Sequence, residues 1–114
     1  MKILVILNDP PYGTERSYNG LRLAKALQQA GNELSVFLLA DAVVCAKQGQ
    51  EVPSGFYNIG LMLGSLLRKG RVRVCGTCMK ARGLSADDLL EGAQGSTMDE
   101  LAEMTEESEQ VLVF

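Results

Sequence analysis

Residues 2–8, KILVILN, carry an unbroken apolar run with β-branched members. Such a run suits a strand covered on both faces, because a half-exposed strand alternates apolar with polar residues. DPPYG follows at 9–13, and its two prolines hold off any helix until about Thr14. From Glu15 to Ala30 the spacing turns helical, with Leu21, Ala24 and Leu27 on one face and Leu23 and Ala30 beside it. Gly31 stands where a left-handed residue ends a helix.

ELSVFLLA, around residues 33–40, is a second buried strand, after which Asp41 can cap a short helix through Ala46. GQEVPSG at 49–55 reads as a loop, and Phe56 to Lys69 as an amphipathic helix carrying Ile59, Leu63, Leu66 and Leu67, closed by Gly70. RVRVC is the third strand. Ser85 with Asp88 forms a capping box over a short helix to about Leu90, and GAQG at 92–95 is a short strand or a connection. Thr97 with Glu100 opens a helix to about Glu107, with Leu101 and Thr105 inward. QVLVF reads as a last buried strand.

Strands and helices therefore alternate, which predicts right-handed crossovers on a mostly parallel sheet. The expected fold is a three-layer α/β/α sandwich with four or five strands, in the flavodoxin-like order 2-1-3-4-5, as one domain over residues 1–114.

The 114 residues suit one domain, and 46% apolar content suffices for a core. Net charge is −3 and the sequence pI about 4.9, which argues against a nucleic-acid partner. Aromatics are 5% and tryptophan is absent, so base-stacking platforms are not expected. No stretch approaches the roughly 18–20 apolar residues of a membrane span, and the start lacks the features of a signal peptide. The expected location is the cytoplasm, where thiols stay reduced.

Chemistry concentrates in VRVCGTCMKARGL, residues 72–84. Cys75 ends the third strand, Gly76 and Thr77 form a loop, and Cys78, Lys80 and Arg82 follow. The absence of histidine removes Cys-His catalysis and the commonest zinc ligand. One C-x-x-C gives two of the four ligands that structural zinc takes, and Cys45 or a second chain would have to complete it. A dithiol oxidoreductase fits the motif, yet Pro10, Pro11 and Pro53 all precede it, so no downstream cis-proline faces the pair. Cys45, inside AVVCA, reads as core. Lys80 and Arg82 make an electropositive setting that favours thiolate at Cys75 and Cys78.

Sites in open α/β sheets lie beyond the carboxyl ends of strands. With strand 3 beside strand 1, the crevice faces Cys75, with Asn8, Tyr12 and Gly13 as its wall. Neither G-x-G-x-x-G nor G-x4-G-K-[ST] occurs, so a nucleotide site is unsupported and no cofactor is expected. Tyr12 reads as packing at a subunit interface rather than a lid.

Taken together, NDPPYGTERSYNGLRLAKAL, FLLADAV, GFYNI, VCGTCMKARG and the terminal VLVF after an acidic helix resemble the DsrE/DsrF-like family, most closely its YchN-like branch. The resemblance implies parallel strands and a homohexamer or homotrimer. Sulfur-relay members, the DsrE and TusD type, carry a cysteine after the third strand that accepts and passes on persulfide sulfur, and Cys75 falls at that position. Cys78 is the extra cysteine of the YchN-like branch. The implied function is persulfide sulfur transfer between a donor and an acceptor protein. The alternatives are an oligomeric binding or scaffold protein and a dithiol oxidoreductase.

Overall fold

The computed structural model describes residues 1–114. The strands β1 (Lys2–Leu7), β2 (Glu33–Leu38), β3 (Arg71–Cys75), β4 (Gln94–Ser96) and β5 (Gln110–Val113) form one sheet, parallel throughout, in the order β4-β3-β2-β1-β5. The helices are α1 (Arg16–Gln29), α2 (Ile59–Leu67), α3 (Gly76–Ala81) and α4 (Met98–Glu107). Two 3-10 segments, Ala40–Ala46 and Ala86–Asp88, complete the chain.

The expected order 2-1-3-4-5 is corrected: β3 pairs with β2, not with β1. Burial explains the difference. In β2, Leu34 through Leu38 are all buried, and a strand covered so fully belongs at the centre, since burying each large aliphatic side chain is worth about 1.5–3 kcal/mol. β3 instead interleaves Arg71 and Arg73 with Val72 and Val74, which leaves one face polar. The chain steps from β1 to β4 in one direction and returns beyond β1 as β5. Right-handed crossovers then place α1 and α2 on one face and α4 on the other.

β5 is also corrected. It is an edge strand, with Val111 and Val113 exposed and only Leu112 half-buried. α2 starts at Ile59 rather than Phe56, capped by the Asn58 side chain, which accepts from the Leu61 amide at 3.0 Å. Tyr57 instead stacks with Tyr12 and Phe56 meets Tyr12 at a tilt, and Tyr57 lies 4.0 Å from Tyr18, ring centre to ring centre. On α4 the inner residues are Leu101 and Met104, while Thr105 is exposed.

Gly31 has φ +95°, as its position after α1 requires. Gly70 is needed for a different reason: a Cβ there would lie 2.6 Å from the Leu34 carbonyl oxygen. α2 can hand over to β3 this close to β2 only through a residue without a side chain.

Candidate functional site

Side chains alternate across a strand, so Cys75 shares the face of Arg71 and Arg73. That is the α4 side: Arg73 Nε donates to Glu100 at 3.1 Å, and Ser96 Oγ donates to the same carboxylate oxygen at 2.7 Å. Glu100 thereby ties β3, β4 and α4 together. It does not reach back to Thr97, whose hydroxyl still accepts from the Glu100 amide. This bracing sets the end of β4 and the start of α4 beside Cys75.

The result is a cleft of about 550 Å³, the most voluminous on the molecule, at the carboxyl ends of β2, β3 and β4. Leu39 after β2, Ser96, Thr97 and Met98 at the β4–α4 junction, and Cys75, Gly76, Thr77, Cys78 and Lys80 from β3 and α3 line it. Met98 among them is 62% exposed. A smaller cleft of about 350 Å³ beside α2, which includes Lys47, Asn58, Ser65, Arg68 and Glu91, holds no cysteine.

Gly76 and Thr77, expected in a loop, open α3. Cys75 is the N-cap, its sulfur accepting from the Cys78 amide at 3.4 Å. A Cβ on Gly76 would lie 3.2 Å from the Ser96 carbonyl oxygen, so glycine lets α3 start tight against β4. Cys75 is 9% exposed. Burial pushes its thiol above the ordinary cysteine range and the Cys78 side chain adds to this, while the amides of Cys78 and Thr77 oppose it.

Cys78 is half-buried, and its sulfur accepts from the Ala40 amide at 3.2 Å. Ala40 adopts φ +51°, a left-handed conformation that costs a non-glycine residue about 1–2 kcal/mol. Asp41 does not cap this 3-10 segment. Its carboxylate takes Arg82 Nε at 2.9 Å and Nη2 at 2.8 Å, while Arg82 Nη1 donates to the Cys78 carbonyl at 3.0 Å. Arg82 therefore locks the Ala40 turn onto α3, and its charge faces Asp41 rather than Cys75. The electropositive setting expected from Lys80 and Arg82 together is corrected on this ground; Lys80 alone lines the cleft.

The structure does not bring Asn8, Tyr12 and Gly13 to this cleft, because β2 separates β1 from β3. Two strand spacings amount to about 10 Å. The Asn8 side chain donates to the Phe114 carbonyl, tying β1 to β5. The Tyr12 hydroxyl donates to Gln50 and accepts from the Ile59 amide, both at 3.1 Å, so Tyr12 packs within its own chain. A Cβ on Gly13 would sit 3.1 Å from Pro10. Cys45 is fully buried, 3.8 Å from the Asp9 carbonyl, and burial pushes its thiol up to about 12.

Sequence reasoning missed Leu39, Ala40, Ser96, Thr97 and Met98. The strand-end rule could have found Ser96 and Thr97 had GAQG been read firmly as a strand. Nothing in the sequence marks the Ala40 amide.

A model of the DsrE/DsrF-like family matches residues 1–114. An uncharacterized protein of Methanocaldococcus jannaschii is 43% identical over 115 residues, spanning all of both chains. Protein YchN of Escherichia coli K12 is 40% identical over 116 residues, covering 99% of this chain and 98% of the relative. The crystal structure of the ychN protein from E. coli superposes with TM-score 0.93, covering 100% of this chain and 99% of the other. A protein of unknown function from Methanobacterium thermoautotrophicum, MTH1491, shares the fold at TM-score 0.77 and 17% identity, over 99% of this chain and 97% of that one.

Proposed function

The chain belongs to the DsrE/DsrF-like family, and from that premise we propose that it is a cytoplasmic sulfur carrier holding sulfur as a persulfide on Cys75. The supporting observation is the placement of Cys75: a helix-capping thiol in the most voluminous cleft, which apolar Leu39 and Met98 also line, with amides beside its sulfur.

In the forward step the Cys75 thiolate attacks the outer sulfur of a donor persulfide. A Cys75–sulfur bond forms, the donor's sulfur–sulfur bond breaks, and the donor leaves as a thiolate that takes up the proton Cys75 gave up. An acceptor thiolate then attacks the outer sulfur and releases Cys75. The amides of Thr77 and Cys78 offer hydrogen bonds to negative charge on Cys75 sulfur, and Lys80 adds a cation at the rim. The donor and acceptor are proteins or small thiols able to enter the cleft that Leu39 and Met98 line. We further propose self-association as a homotrimer or homohexamer, supported by exposed Phe56 in the segment before α2 and exposed Leu61 on α2.

Incubation with glutathione persulfide, sampled early by intact mass, tests the carrier reading. Wild type should gain about 32 Da and Cys75→Ser should not. No gain in either wild type or Cys78→Ala, or an equal gain in Cys75→Ser, refutes it.

A scaffold without thiol chemistry is the second reading. What favours it is that Cys75 is mostly buried and its thiol is pushed above the ordinary range. In that case Cys75 should resist alkylation until the chain is denatured.

A further inference from the structure

The carrier step leaves Cys78 without a task, yet the fold positions its sulfur closely. Three features converge on it. Cys75 and Cys78 stand three apart on one turn, a spacing at which side chains are neighbours, and both line the same cleft. The Ala40 amide, carried by a left-handed non-glycine residue, donates to Cys78 sulfur. Arg82 bridges the Cys78 carbonyl and Asp41, the residue after Ala40, and so keeps that amide in place. Strained backbone of this kind persists where the surroundings enforce it, and it gathers at working sites.

We infer that Cys78 is a resolving thiol for sulfur held on Cys75, positioned by the Ala40 amide and by the Arg82–Asp41 pair. The inference rests on the carrier reading and adds a second fate for the bound sulfur. The Cys78 thiolate attacks the inner sulfur of the Cys75 persulfide. A Cys75–Cys78 disulfide forms, the persulfide sulfur–sulfur bond breaks, and the outer sulfur leaves as sulfide with the proton from Cys78. Two thiol sulfurs are oxidised by two electrons in total, and the sulfane sulfur is reduced by two. No outside oxidant enters. A dithiol reductant must then reopen the disulfide and be oxidised in turn, so the chain would work between a persulfide supply and a disulfide-reducing reaction.

The test is anaerobic loading of the full chain with glutathione persulfide, followed by removal of the donor. Sulfide release and intact mass are then read together. Wild type should release one sulfide per chain and finish about 2 Da lighter than the reduced form. Cys78→Ala, and Cys78→Ser as a variant that keeps an acceptor for the Ala40 amide, should hold the adduct of about 32 Da at least about tenfold longer. Arg82→Gln should slow sulfide release relative to loading, and Arg82→Lys should restore part of it; an ion pair needed only for folding would not change that ratio. Equal adduct lifetimes in wild type and both Cys78 variants overturn the inference and leave the carrier reading standing. Absence of any adduct on all chains overturns both.

Discussion

The Cys78 amide donates to Cys75 sulfur at 3.4 Å, so the first cysteine caps the turn that carries the second. The pair is unequal. Cys75 ends a buried strand and is 9% exposed, while Cys78 is half-buried and held by Ala40. Electrostatics at Cys75 is a contest between burial, which raises its thiol, and the nearby amides, which lower it. Burial prevails.

That outcome sets a pH dependence. Thiolate is the reactive form, so alkylation of Cys75 in the native chain should accelerate with pH through a midpoint above the roughly 8.5 of a free cysteine. Iodoacetamide rates read by peptide mass across pH 6 to 11 check this, roughly spanning the ordinary thiol range. A midpoint near neutrality would mean that the amides outweigh burial.

Cys45 should react with nothing until the fold opens, and it should shape alkaline stability. Its folded thiol titrates at about 12, above the unfolded value. At pH between the two values the unfolded chain loses a proton that the folded chain keeps. Its contribution is therefore fully present below about pH 8.5 and is lost as pH rises toward the folded value, at up to about 1.4 kcal/mol per pH unit. Urea unfolding at stepped alkaline pH should show the decline, shallower in Cys45→Ala. An identical slope in the variant would assign the decline to other groups.

Gly70→Ala should destabilise the chain by about 1–3 kcal/mol, the usual cost of forcing atoms into a packed site. The neighbour is the Leu34 carbonyl oxygen in the central strand, not a flexible side-chain end. Denaturant midpoints measure it. A neutral substitution would show that α2 and β2 can separate freely.

Leu61, 74% exposed on α2, is the residue on which to test association. Light scattering should give wild type several times the chain mass of 12.3 kDa, and Leu61→Lys should lower it. A wild-type monomer would remove the assembly from the proposal.

Much of this architecture was legible because burial writes itself into continuous runs. KILVILN and ELSVFLLA specified β1 and β2, and Thr97 marked the start of α4. Strand order was harder, since it depends on comparing how fully each strand is covered. The two arginines in RVRVC, set against the unbroken apolar run of β2, carried that information. QVLVF misled because an apolar composition alone does not distinguish a central strand from an edge. The cysteine pair was visible as a motif. Its environment was not, because the Arg82–Asp41 and Ala40–Cys78 contacts join residues 41 and 38 positions apart.

A sulfur carrier must both receive sulfur on Cys75 and pass it on. Loading the Cys78→Ala chain from a donor labelled with heavy sulfur, then adding an acceptor thiol, follows both steps. The heavy sulfur should map to the Cys75 peptide and then move to the acceptor, restoring the original mass. Label on any other residue, or label on Cys75 that no thiol can remove, would contradict a carrier role.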